Sequence, residues 1–398
     1  MEATRKRKMI RLEDAIVRIL KFAHSGQVER INLDSALNRV LAEDVFSDTD
    51  MPPFNKSAMD GFACRISDID LELEIIETIP AGKSPQSKIK PGQCAKIMTG
   101  APIPEGADCV IMIEDAEVKK DKIKIRHKPD KSNICYLGED IRKGDLVLHK
   151  GTQLMSQHVS VLATIGQIKP LVYQQPLIAV MVSGDEIVEP HIKPETSKIR
   201  NSNGYQLLSQ LSRSGCKVDY KGIVPDRMDE LEHIINYSFE ESRILIITGG
   251  ASKGEYDLIP HAMCQLGFRT HFTEVAIQPG KPFNFSTRKN LVCFGLSGNP
   301  VSSFVQFEML VRPFIHSILG MNKSQFQLKM PMGEVFYRKK AEREYFFPVR
   351  ISEDSTVIPV EFHGSAHINA LTRADGMASM PIGKKQFEKG DLVNVRPL

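Results

Sequence analysis

Apolar positions along this chain follow three rhythms, and each predicts a different kind of element. Between residues 9 and 24 they recur at Leu12, Ile16, Ile19 and Ala23, one face of an amphipathic helix. From about 70 to 150 the pattern changes to short strands with turn signals, at 71–79, 94–98, 110–113 and 122–127, which predicts a β-rich module. Ser156 then caps a helix that ends at Gly166. Further on, uninterrupted apolar runs at 177–182, 244–248 and 291–296 read as strands buried on both faces, the mark of a parallel sheet. Helical stretches at 203–213, 227–240 and 257–266 separate these strands. Pro300 opens another helix that runs toward Gly320, and Pro313 is placed to kink it. The last seventy or so residues carry no helical pattern and read as strands at 345–351, 356–362 and 392–395. The prediction is a multi-domain α/β protein: a doubly wound α/β domain, β-rich accessory domains and a C-terminal small β-barrel.

The bulk numbers narrow the class of partner. A chain of 398 residues exceeds one ordinary core, and 41% hydrophobic with 25% charged residues is a soluble globular composition. A formal charge of +3 with dispersed basic residues argues against nucleic acid, and the basic run at 5–8 reads as a solvated terminus. No stretch reaches the roughly 18 apolar residues of a membrane span, and the basic start lacks an apolar signal core. Seven scattered cysteines without a C-x-x-C pair fit neither a zinc ribbon nor a disulfide framework, so a reduced, cytoplasmic setting is expected. His363 and His367 are four apart in a strand-and-turn segment, a poor zinc pair.

Each long apolar run enters a loop of small residues: Ser183-Gly184, Gly249-Gly250 with Ser252 and Gly254, and Gly298-Asn299. Ligands of parallel sheets sit beyond these carboxyl ends, where glycines let backbone N–H groups approach an anion. The same loops hold Asp185, Glu186, Glu255 and Asp257, and carboxylates beside a phosphate require a cation between them. That combination points to metal-assisted chemistry on a phosphorylated or oxyanionic substrate. The loop at 249–254 is neither a Walker P-loop nor a dinucleotide G-x-G-x-x-G. Asp257 also reads as a helix cap, Asp226 after Pro225 most simply as an N-cap, and Lys281 between two prolines as an oxyanion contact or a turn lysine. Asp60, Thr99 and the Glu139-Asp140 pair stand in further small-residue loops that turn chemistry alone would explain.

In order along the chain, S-A-M-D-G-F (57–62), M-T-G-A-P-I-P (98–104), G-E-D-I (138–141), S-G-D-E (183–186), I-R-N-S-N (199–203), G-G-A-S-x-G-x-x-D (249–257), P-G-K-P (279–282) and G-N-P (298–300) closely resemble the MoeA family of molybdopterin molybdenumtransferases, similar also to the E domain of gephyrin. The resemblance covers nearly the whole chain. It implies Mg²⁺-dependent insertion of molybdate, or tungstate, into adenylylated molybdopterin with release of AMP. It also implies an elongated homodimer and the molybdopterin adenylyltransferase as a candidate partner. The implied domains are 1–50 with 141–175 (elongated N-terminal and linker domain), 51–140 (β-rich insertion), 176–320 (α/β, molybdopterin-binding) and 321–398 (C-terminal β-barrel). Carried over by motif, Asp60, Thr99, Asp140, Glu186, Asp226, Asp257 and Lys281 become catalytic residues, with Glu186 and Asp257 on the metal. Ser183, Gly184, Gly249, Gly250, Ser252, Gly254, Gly298, Asn299, Arg350 and Ser365 become substrate contacts. In the family the segments of Asp60, Thr99 and Asp140 face a cleft completed by the dimer partner.

Three positions depart from the family's commonest pattern. Gln278 stands where lysine is frequent, Cys135 to Leu137 lack the arginine often seen before G-E-D, and Ser297 replaces the proline of P-G-N-P. The first weakens the expected anion clamp around Lys281. Two other readings compete: a non-catalytic dimeric scaffold of the gephyrin type, and a nucleotide pyrophosphatase or adenylyltransferase-like enzyme. Retention of the carboxylates argues against the first, and the S-A-M-D-G and G-E-D segments against the second.

Overall fold

The structure is a computed structural model that describes residues 9–249, 258–321 and 327–398. The chain forms two compact units, one of residues 43–150 and 156–170, the other of residues 1–42, 151–155 and 171–398.

The smaller unit is built on a six-stranded sheet of β1 (Gly61–Cys64), β2 (Glu72–Ile79), β3 (Gln93–Ile97), β4 (Cys109–Met112), β5 (Ala116–Lys119) and β6 (Lys122–Ile125), in the order β4-β1-β3-β2-β6-β5. Only β2 and β3 pair in parallel. Neighbouring residues of β1 separate onto two faces, Phe62 and Cys64 packing with Leu73 and Ile111, Ala63 with Ile79 and Val110. The helix read from Ser156 spans Ser156–Thr164.

In the larger unit the three apolar runs form β7 (Leu177–Ser183), β9 (Ile244–Thr248) and β12 (Leu291–Leu296). They are parallel neighbours in a six-stranded sheet completed by β8 (Lys217–Val224), β10 (Arg269–Glu274) and β11 (Pro282–Arg288), in the order β8-β7-β9-β12-β11-β10. Strand β8 runs parallel to β7, whereas β10 and β11 form an antiparallel flank. Helices α1 (Leu12–Leu20), α2 (Ser202–Arg213), α5 (Pro300–Gln306) and α6 (Arg312–Ile318) cover the face bearing Ile178, Val180, Ile246 and Phe294. Helices α3 (Met228–Glu241) and α4 (Leu258–Gln265) cover the face bearing Ala179, Met181, Leu245 and Ile247. The sheet is therefore doubly wound, as its continuous hydrophobicity requires. Helix α1 is shorter than the pattern suggested, because Phe22 and Ala23 bond to Ile19 and Leu20 in tight closing turns. Between α5 and α6 the helix widens into a π turn, Phe307–Val311. Pro313 has no N–H to give, so the bonding pattern shifts one turn before it.

The C-terminal strands β13 (Leu328–Pro331), β14 (Glu344–Ile351), β15 (Val357–Pro359), β16 (Gly376–Met380) and β17 (Leu392–Pro397) pair in the order β15-β14-β16-β17-β13. A bridge from Met332 to Val357 brings the two ends of this row together, and Phe347, Val349, Ala378, Met380, Val393 and Val395 fill the inside. Pro359 stops β15 short of the expected 362. A 3₁₀ turn at Ile368–Arg373 is the one helical piece in a region read as helix-free. No helix among the described residues is long and apolar enough to cross a membrane.

Candidate functional site

The carboxyl ends of β7, β9 and β12 converge as expected. A Cβ on Gly249 would stand 1.9 Å from the carbonyl oxygen of Ser183, and Gly249 itself has φ +100°, so only glycine closes this approach. Gly298 also lies against Gly249. Buried Asn203, at the start of α2, donates from Nδ2 to Thr248 Oγ1 (2.9 Å) and to the carbonyl of Gly298 (2.8 Å), knitting two of the loops. Thr248 Oγ1 in turn donates to the carbonyl of Ser297 (3.0 Å).

Carboxylates gather at the tip of β7. Ser183 is buried and its hydroxyl donates to Asp226, whose own N–H donates to Asp185 Oδ1 (3.2 Å). Asp226 is therefore not the helix cap that Pro225-Asp226 suggested. The capping position of α3 is Arg227, without a side-chain cap bond, and the serine holds Asp226 at the strand ends instead. The Glu186 carboxylate folds back over Gly184, within 2.8 Å of where a Cβ would sit. Gly250, Ser252, Gly254 and Asp257 lie outside the described residues. Among the described residues no three His, Cys, Asp or Glu side chains form a group able to hold a metal.

Beside these loops is a cavity of about 360 Å³, lined by Gln278, Lys281, Ser297, Asn299, Arg343 and Ser365 among others. One buried side chain joins it to the cradle. Gln306 accepts from the N–H of Ser297 (2.8 Å) and donates to the carbonyls of Gly280 (2.8 Å) and Pro282 (2.5 Å), tying the P-G-K-P turn to the loop after β12. Lys281 Nζ sits 3.2 Å from Glu274 Oε2. Ser365 accepts from the N–H of Val301 through its carbonyl (3.0 Å), which seats it over the start of α5. Arg350 does not join this group. It is exposed and lines a separate concavity with Gly333, Ser352, Asp354 and Thr356. Neither Gln306 nor Arg343 stands in a small-residue motif, so the sequence pattern does not mark them.

In the other unit, Asp60 accepts at Oδ1 from both the N–H (2.6 Å) and the hydroxyl (2.8 Å) of Thr99. These donors, the backbone one first, hold the Asp60 carboxyl below its usual range. Such a group stabilises the fold above its unfolded pKa, and that contribution fades as pH falls through the depressed folded value. Thr99→Val removes one donor and should move the Asp60 titration back toward the ordinary carboxylate value, read by carboxyl-carbon NMR. An unmoved titration would show that the hydroxyl contributes nothing. The loops around this pair are knit by bridges between Lys56 and Pro102 and between Met51 and Ile141. Asp140 is exposed and donates its N–H to the carbonyl of Met51 (3.0 Å).

Comparison with known proteins agrees along the whole length. Residues 10–166 match the MoeA N-terminal region (domains I and II), 179–317 a probable molybdopterin-binding domain, and 335–398 the MoeA C-terminal region (domain IV). The chain is 33% identical to a molybdopterin molybdenumtransferase of Staphylococcus epidermidis, over 98% of this chain and 96% of that one. It is 30% identical to the molybdopterin molybdenumtransferase of Bacillus subtilis, over 98% and 94%. The crystal structure of the molybdopterin biosynthesis moeA protein of Pyrococcus horikoshii OT3 superposes with a TM-score of 0.83 at 27% identity, covering 98% of this chain and all of that one (100%).

Proposed function

Because this chain belongs to the molybdopterin molybdenumtransferase (MoeA) family, an enzyme family of molybdenum cofactor biosynthesis, we propose that it inserts molybdate into adenylylated molybdopterin and releases AMP. The observation that carries this reading is Gln306. By tying Ser297 to Gly280 and Pro282, it sets a cavity with two cationic side chains directly beside the Gly-rich strand ends. The strand ends suit a phosphorylated substrate, because their glycines let backbone N–H groups come close. The cavity suits a small oxyanion, because Lys281 and Arg343 bring positive charge to it. Placing the two side by side brings the metal oxyanion to the atoms it must join, which is most of what such a reaction asks of a protein.

Glu186 and Asp257 are the side chains we assign to Mg²⁺. The donor chemistry fits: a hard cation of this kind keeps several waters and takes one or two carboxylates together with substrate phosphates, and needs no cage of three protein ligands. When bound, Mg²⁺ would neutralise phosphate charge during loss of AMP. Asp226, held by the Ser183 hydroxyl, orients the tip of β7. The parts assigned to Asp60, Thr99 and Asp140 rest on the family resemblance, and loss of AMP release in Asp60→Ala tests the first. The same resemblance supports a homodimer, which sedimentation at micromolar concentration would reveal by mass.

The proposal is tested by incubating the chain with adenylylated molybdopterin, Mg²⁺ and molybdate, then adding an apo molybdoenzyme. Enzyme activity should appear only when all components are present, and parallel reactions with tungstate give the oxyanion preference. Equal activation without the chain would contradict the assignment.

A further inference from the structure

Two cations line the cavity, but they differ in what already balances them. Lys281 lies 3.2 Å from the carboxylate of Glu274, so much of its charge is spent within the protein. Arg343 donates to the carbonyl of Ile277 (3.3 Å) and to Oε1 of Gln278 (3.4 Å), both neutral oxygens. Among the described residues no carboxylate is paired with it. Its position follows from strand pairing: Ile277 and Gln278 run parallel to Glu344 and Tyr345, the first residues of β14. The residue just before that strand is thereby brought beside Gln278.

We propose that Arg343, oriented by Gln278, supplies the net positive charge of this cavity and sets its affinity for the oxyanion substrate. The proposal rests on the function proposed above and adds to it the residue that holds the oxyanion. An amide oxygen at 278 accepts from a guanidinium, whereas a lysine there would offer no acceptor and would repel it. A lysine placed at 278 in the absence of Arg343 would charge the same cavity in another way. A guanidinium further presents a fork of N–H groups suited to two oxygens of one tetrahedral anion.

Calorimetry of molybdate binding to the full chain reads this inference directly, while AMP release reads the function, so failure of one is told apart from failure of the other. Arg343→Ala should weaken molybdate binding by roughly tenfold or more, the usual scale for losing a charge-assisted contact. It should leave the melting temperature and the half-saturating concentration of adenylylated molybdopterin unchanged. Gln278→Lys alone should change little, since the charge gained is offset by displacing Arg343. The double variant Gln278→Lys/Arg343→Ala should recover most of the lost affinity. If Arg343→Ala folds poorly, Arg343→Lys keeps the charge, loses the fork and should give an intermediate affinity. Molybdate binding that is absent in the unmodified chain, unchanged in Arg343→Ala, or as weak in the double variant as in Arg343→Ala would overturn the proposal.

Discussion

Gly249→Ala should reduce molybdate-dependent AMP release by about a hundredfold or more, the scale expected when reacting groups are displaced by about an ångström. The new methyl group would have to occupy space 1.9 Å from the Ser183 carbonyl, at a backbone φ of +100°. A clash with backbone cannot be relieved by a side-chain rotation, so the loops after β7 and β9 must separate. Strained positions of this kind cost about 1–3 kcal/mol, and the variant should lose about that much stability in urea. The loss of activity should exceed what that destabilisation explains, because Gly249 also packs against Gly298 and thus sets all three loops. A folded Gly249→Ala chain with normal turnover would show that the loops are not the substrate cradle.

Asp257→Ala should abolish AMP release while leaving the fold intact. Its position follows from the sequence, where a Gly-rich loop leads into α4, whose first residue is Leu258. Loss of a helix cap would cost about 1 kcal/mol, whereas under the proposed function loss of a carboxylate assigned to Mg²⁺ would remove the charge neutralisation proposed for the departure of AMP. Excess Mg²⁺ should not restore the reaction. Normal turnover by the folded variant would return Asp257 to a capping role.

The fold was legible where hydrophobicity was continuous. Strands β7, β9 and β12 are buried on both faces, so nearly every position is apolar and the sequence signal is strong. The two edge strands were not legible, for the corresponding reason. Strand β8 carries Lys217, Asp219 and Lys221 along a half-exposed edge, and β10 carries Arg269 and His271. Their apolar positions are too few to set a rhythm, and pairing with a neighbour decides their conformation.

The close approach of the loops at the candidate site was legible, but not the bonds between them. Ser183, Gly249 and Gly298 stand in motifs whose small residues announce a close backbone approach. The role of Asp226 was hidden, because a proline followed by an aspartate before a helix looks like a cap whether or not the carboxylate turns back to Ser183. Gln306 and Arg343 bond to partners far away in sequence, at 280–282 and 278, and an isolated glutamine in a helix or arginine just before a strand gives no local signal. Arg350, carried over by residue type, lines another concavity of the barrel.

Under the proposed function, molybdate insertion and loss of AMP are one reaction on this chain. Titrating molybdate while following AMP released from adenylylated molybdopterin, with Mg²⁺ present, tests this. AMP should rise with molybdate and match, mole for mole, the molybdenum retained on the pterin. AMP release that is the same without molybdate, or none under any condition by a folded chain, would contradict it.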